Sequence, residues 1–92
     1  MIGSFRDADT LALFSGKPSR RFLHFARVAQ RKLQQLHAAH QLHDLTVFPG
    51  NHLEALQGNR QGPHRIRIND QYRLCFVWRY GDAHDVEIVD DH

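Results

Sequence analysis

Arg60, Arg65, Arg67 and Arg73 are strung along the C-terminal part of this 92-residue chain, which closes on Asp90, Asp91 and His92. Glu54 stands just upstream of them. These residue types suit the cleavage of an RNA phosphate backbone. Internal transfer needs a base to take the 2′-OH proton and an acid to protonate the 5′ leaving oxygen. It also needs a cation over the phosphate, whose charge grows in the transition state. Histidine is the common acid or base near neutral pH. Arginine suits the phosphate because its planar fork donates two hydrogen bonds at once. Each residue also has a plainer reading. His92 can be a tail residue, Arg73 a partner for Glu87, and Arg65 and Arg67 a solvated sheet face. Arg60 can tie its own loop, and Asp90 can either orient His92 or be a surface acid.

These side chains need strands to hold them. Leu53 to Gln57 reads as a strand, and Gly58-Asn59-Arg60-Gln61-Gly62-Pro63 as a loop. From His64 to Asn69 the pattern alternates, with Ile66 and Ile68 on one face and Arg65 and Arg67 on the other. Asn69-Asp70 supplies a turn. In the next strand Tyr72, Leu74, Phe76 and Trp78 share a face, and Arg73, Cys75, Val77 and Arg79 share the opposite one. Gly81-Asp82 marks a tight hairpin, and His84 to Val89 reads as the last strand. Core packing is the better role for Tyr72 and Trp78, although both could stack on bases. Cys75, among Leu74, Phe76 and Val77, reads as a small core residue. A lone cysteine forms no internal disulfide, which suits a reducing compartment.

The N-terminal half supplies the layer behind the strands. Ile2 and Phe5 make a short apolar start that fits an edge strand. Asp9-Thr10 is expected to cap a brief helix through Leu11, Leu13 and Phe14. Pro18-Ser19 signals a long helix, with no Gly or Pro in its interior up to residue 47. Phe22, Phe25, Ala26, Ala29, Leu33 and Leu36 fall on one face at helical spacing, and Arg20, His24, Arg27, Arg31 and Gln34 on the other. A bend is expected near His40-Gln41, and Asp44 is placed to cap a turn through Leu45 and Val47. Helices followed by a run of antiparallel strands make an α+β pattern, and a chain of this length is expected to form one domain, residues 1–92.

Charge is uneven. Residues 1–40 carry seven Lys or Arg against two Asp, while residues 41–92 carry five Arg against eight acids. The basic half suits a polyanion or an acidic protein partner, or a solvated helix surface. No apolar run reaches the roughly 20 residues that cross a bilayer, nor is there a secretory leader, so a cytoplasmic location without a membrane partner is expected. His37, His40 and His43 are spaced by three, which does not stack three ligands on one helix face. With no Cys pairs and no HExxH spacing, neither a metal nor another cofactor is expected.

Several fragments are shared with a known family. Leu53-Glu54-Ala55-Leu56 with Gly58-Asn59-Arg60, then Arg67-Ile68-Asn69-Asp70-Gln71, then Val86-Glu87-Ile88-Val89-Asp90 closing on His92, resemble the HigB branch of the RelE/ParE toxin superfamily. The opening Met1-Ile2-Gly3-Ser4-Phe5-Arg6-Asp7 fits as well. The resemblance implies a small RelE-like α+β fold, with an antiparallel sheet and N-terminal helices packed on one face. It implies a ribosome-dependent messenger-RNA endoribonuclease, the toxin of a toxin–antitoxin pair. The implied partner is a small helix-turn-helix antitoxin (HigA-like), often in a complex of two toxins with two antitoxins. On this pattern His92, Asp90, Arg73, Glu54 and Asp91 are the catalytic candidates, and Arg60, Arg65 and Arg67 the phosphate-binding ones. The family's closing motif is typically Asp-Tyr-His; here Asp91 replaces the tyrosine, which removes a phenol and adds a negative charge. Glu54 lies where some members have a histidine, and Gly58-Asn59-Arg60 stands for Gly-Asp-Arg. Two other outcomes stay open: a member that poisons DNA gyrase by binding, and a weakened member that only binds its antitoxin.

Overall fold

The computed structural model describes residues 1–56 and 62–91. Two helices, α1 (Ala8–Phe14) and α2 (Ala26–Ala38), precede four strands: β1 (Glu54–Ala55), β2 (Gly62–Arg67), β3 (Tyr72–Arg79) and β4 (Asp82–Asp90). The strands form one antiparallel sheet in the order β1-β2-β3-β4. The chain therefore has the expected α+β architecture.

Alternation decides the two faces of the sheet. Ile66, Leu74, Phe76, Trp78, Val86 and Ile88 point into a core shared with Leu33 and Leu36 of α2 and Leu13 of α1. The intervening residues, Arg65, Arg67, Arg73, Cys75, Val77 and Glu87, stand half-buried on the opposite face. One irregularity keeps that division intact. Cys75 pairs with Glu87 but Val77 pairs with His84, so β4 carries one extra residue. Asp85 takes it up with φ +52°. This bulge lets Ala83, Val86 and Ile88 all face inward despite the three-residue step from 83 to 86. The β3–β4 hairpin turns on Tyr80 and Gly81, both at positive φ (+51° and +81°), the twist that suits a two-residue hairpin.

The N-terminal segment behaves as an edge element. Ile2 and Phe5 form isolated parallel bridges to Ala83 and Val86. Gly3 N donates to Ala83 O at 2.7 Å and Arg6 N to Val86 O at 2.9 Å.

The start of α1 departs from expectation. Its cap is Asp7, not Asp9-Thr10: Asp7 is extended, and its Oδ1 accepts from Thr10 N at 2.7 Å. Thr10 is instead buried inside the helix, where its Oγ1 accepts from Ile88 N at 3.3 Å and ties α1 to β4.

The long helix is also shorter than its periodicity suggests. Residues 23–25 form only a 3₁₀ turn, and α2 starts at Ala26. Phe22 is fully buried, and Phe25 stacks on Tyr72 of β3 with ring centroids 4.2 Å apart. Phe22 and Phe25 take φ of −113° and −135° with ψ near +17°, outside helical geometry. Burial of the Phe22 ring and packing of the partly buried Phe25 on Tyr72 outweigh helix propensity there, since each ring removes apolar area from water. From Ala26 onward the stripe is as expected: Ala29, Leu33 and Leu36 are buried, while Arg27, Arg31 and Gln34 are exposed. The bend near His40 is present. Asp44 Oδ2 accepts from the backbone amides of His40 (2.9 Å) and Gln41 (3.1 Å), capping a 3₁₀ turn over Leu42–Val47.

Behind the sheet, Lys32 is the one cation on the buried stripe of α2. Its Nζ donates to Asn51 Oδ1, and Asn51 Nδ2 donates to Leu45 O at 3.0 Å. Burial holds the Lys32 amine below its ordinary pKa, with Arg31 and Arg67 adding to the effect. Asn51 O accepts from Arg67 N at 2.6 Å, so this buried pair also anchors the end of β2 that carries two of the arginines.

Candidate RNA-binding face

The polar face of the sheet is built by register. Glu54, Arg65, Cys75 and Glu87 lie abreast across β1 to β4, and Arg67, Arg73 and Val89 lie abreast in the next row. Asp91 follows β4 and is fixed by its N–H, which donates to Gln71 O at 2.7 Å.

Arg65 is the centre of this face. Its Nη1 donates to Asp91 Oδ2 at 2.5 Å and its Nη2 to Glu54 Oε2 at 3.2 Å. Its Nε is buried and has no hydrogen-bond partner among the described residues. Arg73 approaches the same carboxylate, with Nε 4.0 Å from Asp91 Oδ2. Its Nη1 donates to Asn69 O (2.5 Å) and Tyr72 O (3.1 Å), which fixes the guanidinium over the β2–β3 turn. Two guanidinium groups thus converge on a single carboxylate oxygen. Arg67 turns aside: its Nη2 donates to Asp70 Oδ1 at 2.5 Å.

Glu54, Arg65, Arg73 and Asp91 are thereby brought together. Asp90 is not part of that cluster. It shares the strand parity of Val86 and Ile88, and its Oδ2 accepts from Gln71 Nε2 at 3.0 Å. Arg60 and His92 lie outside the described residues, as does Gln57 of the expected first strand, of which Glu54–Ala55 is described as strand. Arg73 does not pair with Glu87; that carboxylate accepts instead from Arg6 Nη1 at 3.3 Å.

Cys75 requires a correction. It is no core residue but stands half-buried on the arginine face, between Arg65 and Glu87. The alternation with Arg73 and Val77 already carried that signal. It borders a small cleft of about 150 Å³ whose lining includes Arg6, Pro63, Val77, Asp85 and Glu87. Burial, reinforced by Glu87, pushes the Cys75 thiol up to about 11. The thiolate is the reactive form, so burial holds the reactivity of Cys75 down at neutral pH. Alkylation by iodoacetamide at pH 7.5 is expected to run well below the rate of free cysteine and to accelerate as the pH approaches 11. A rate equal to that of free cysteine at pH 7.5 would contradict the buried environment.

Tyr72 and Trp78 pack with the core, and Tyr80 does not. Trp78 is buried and Tyr72 is engaged by Phe25, while Tyr80 projects from the hairpin. Among the described residues no group of three or more His, Cys, Asp or Glu is placed to hold a metal ion. No helix among them is long and apolar enough to cross a membrane.

A family model described as the RelE-like toxin of the type II toxin–antitoxin system HigB matches residues 4–92. The chain belongs to the HigB-like toxin family. Individual relatives agree. The chain is 51% identical to Toxin HigB-1 of Vibrio cholerae serotype O1 over 53 residues, 58% of this chain and 56% of that protein. It is 33% identical over 66 residues to an uncharacterized protein of Haemophilus influenzae, which takes in 72% of this chain and 64% of the relative. The matches thus span less than two thirds of either relative's length. Within this HigB-like chain, the Asp91 carboxylate is the one on which Arg65 and Arg73 converge.

Proposed function

We propose that this chain is the toxin of a type II toxin–antitoxin pair and that it arrests growth by cutting messenger RNA on the translating ribosome. It acts as one domain in the cytoplasm and uses no metal or other cofactor. The observation that carries the reading is the convergence of Arg65 and Arg73 on one acidic oxygen. Such a point, on an open sheet face and flanked by fixed donors, suits a phosphoryl oxygen. The name of the Vibrio cholerae relative, Toxin HigB-1, supports the toxin role.

In this mechanism Arg65 and Arg73 neutralise the charge that develops on the phosphate. Glu54, hydrogen-bonded to Arg65 Nη2, takes the 2′-OH proton. His92, at the chain's end, protonates the 5′ oxygen, and Asp90 orients it. Arg67 and Arg60 are the further phosphate-binding candidates along the RNA backbone. The partner is a helix-turn-helix antitoxin (HigA-like), assembled two toxins to two antitoxins. A second reading has one specific observation in its favour. Asp91 occupies the arginines, so a weakened member that mainly binds its antitoxin is the competing case.

The deciding experiment is induced expression of the wild type and of His92→Ala, with primer extension on an abundant message in the same cells. Arrest with new in-frame cuts, both lost in His92→Ala, is the expected result. Arrest without cuts would point to a binding poison. Soluble, folded protein with no arrest would favour the weakened member.

A further inference from the structure

The geometry points to a docking groove for an acidic amphipathic helix that shares no lining residue with the arginine cluster. The occupant is a segment of the antitoxin, so the inference rests on the toxin–antitoxin reading above. The groove lies between the C-terminal end of α2 and the 3₁₀ turn that follows it. It measures about 290 Å³ and is lined by Gln35, Ala38, Ala39, Asp44, Val47 and Phe48. Val47 is 66% exposed and Phe48 37%. Two large apolar side chains left in water beside a ready-made concavity mark a protein-binding surface.

The same ridge of α2 adds charge. Arg27, Arg31, Gln34 or Gln35, and Ala38 succeed one another at steps of three or four, so they form one exposed row. The row is basic at its start and apolar where it meets the groove, about 16 Å further on at 1.5 Å per residue. Arg27 and Arg31 make no ion pair among the described residues, in contrast to Arg6, Arg21, Arg65, Arg67 and Arg73. The carboxylate within the groove, Asp44, is already engaged by the His40 and Gln41 amides. The complement is therefore a helix with an apolar anchor at one end and acids about two to three turns away, docked as helix-in-groove pairs do.

A second copy of this chain fits poorly. Its α2 contains no acid and its α1 carries only Asp9 in the first turn. RNA would engage the arginines but has no use for Val47 and Phe48.

The test uses the antitoxin encoded beside this chain's gene, titrated onto the purified toxin by calorimetry. The variants are Val47→Asp and the pair Arg27→Glu with Arg31→Glu. Both are expected to weaken binding at least tenfold, with unchanged melting temperature. Added salt should weaken the wild-type complex and affect the charge-reversed pair less. In cells, Val47→Asp should still arrest growth yet no longer be rescued by the antitoxin. Wild-type affinity in both variants would overturn the groove while leaving the toxin–antitoxin reading intact. Loss of arrest by the arginine variant with full antitoxin affinity would also overturn it, by assigning the ridge to RNA. A wild-type toxin that dimerises through the groove, with Val47→Asp monomeric on gel filtration, would replace the antitoxin by a second copy. If the wild type bound no antitoxin at all, the toxin–antitoxin reading itself would fall.

Discussion

Replacing Asp91 with asparagine is expected to raise affinity for a short RNA by roughly fivefold to tenfold, with little change in fold stability. The carboxylate is the internal competitor for the proposed phosphate site. Its Oδ2 is 2.5 Å from Arg65 Nη1 and 4.0 Å from Arg73 Nε. A bound phosphate must displace it. The Arg65 and Asp91 side chains are 27% and 42% exposed, so solvent screens much of their attraction. A pair of that kind contributes about 1 kcal/mol, and 1.4 kcal/mol is tenfold in affinity. Asparagine keeps the shape and removes the charge, so the gain isolates electrostatics. It should shrink as ionic strength rises. Asp91→Tyr tests a different question, because it removes the charge and also places a phenol beside the arginines. If asparagine gives the charge effect and tyrosine a larger rise in cleavage, the phenol contributes separately. The measurement is fluorescence anisotropy with an RNA carrying 2′-deoxyribose at the cleavage position, alongside cleavage of the all-ribose form. Unchanged affinity in Asp91→Asn would mean that the carboxylate swings away at no cost, and the arginines would then be fully available to phosphate.

The residues that make this site were readable because strands alternate. Once Ile66, Ile68, Leu74 and Phe76 are assigned inward, Arg65, Arg67, Arg73 and Cys75 must share the other face. What alternation cannot give is where a long side chain ends. Arg67 and Arg73 are neighbours by register, yet one guanidinium turns to Asp70 and the other to the β2–β3 turn. Asp90 and Asp91 are adjacent in sequence and fall on opposite sides of the strand, which sequence spacing alone could have announced. The bulge at Asp85 was hidden for another reason. Nothing in His84-Asp85-Val86 distinguishes an extra residue from regular pairing until β3 is laid beside it. The long helix was overread for a similar reason. Phe22 and Phe25 have helical spacing, but their rings are drawn into contacts with the core and with Tyr72, and the backbone follows them.

Arg65→Ala is expected to produce the largest functional loss, a drop in cleavage of about a hundredfold or more, as removal of one fixed donor from a developing oxyanion does elsewhere. Three features single it out. It is central in register, between Glu54 and Cys75. It touches both carboxylates of the cluster. Its Nε is buried without a hydrogen-bond partner among the described residues, so the guanidinium is held within the sheet face with only its Nη groups turned to the carboxylates. Stability should change little, since its partners Glu54 and Asp91 are largely exposed and their pairing with it is screened. Arg73→Ala is a less clean probe, because Arg73 Nη1 also secures the carbonyls of Asn69 and Tyr72 and its removal loosens the turn. Arg67→Ala should cost only a few-fold, as that guanidinium is turned toward Asp70. Arg65→Lys keeps the charge but loses the fork and should fall between wild type and alanine. Single-turnover cleavage on programmed ribosomes, with a thermal melt for each variant, reads all four. Cleavage by Arg65→Ala at the wild-type rate would remove the arginine pair from the mechanism and leave the C-terminal residues to act without it.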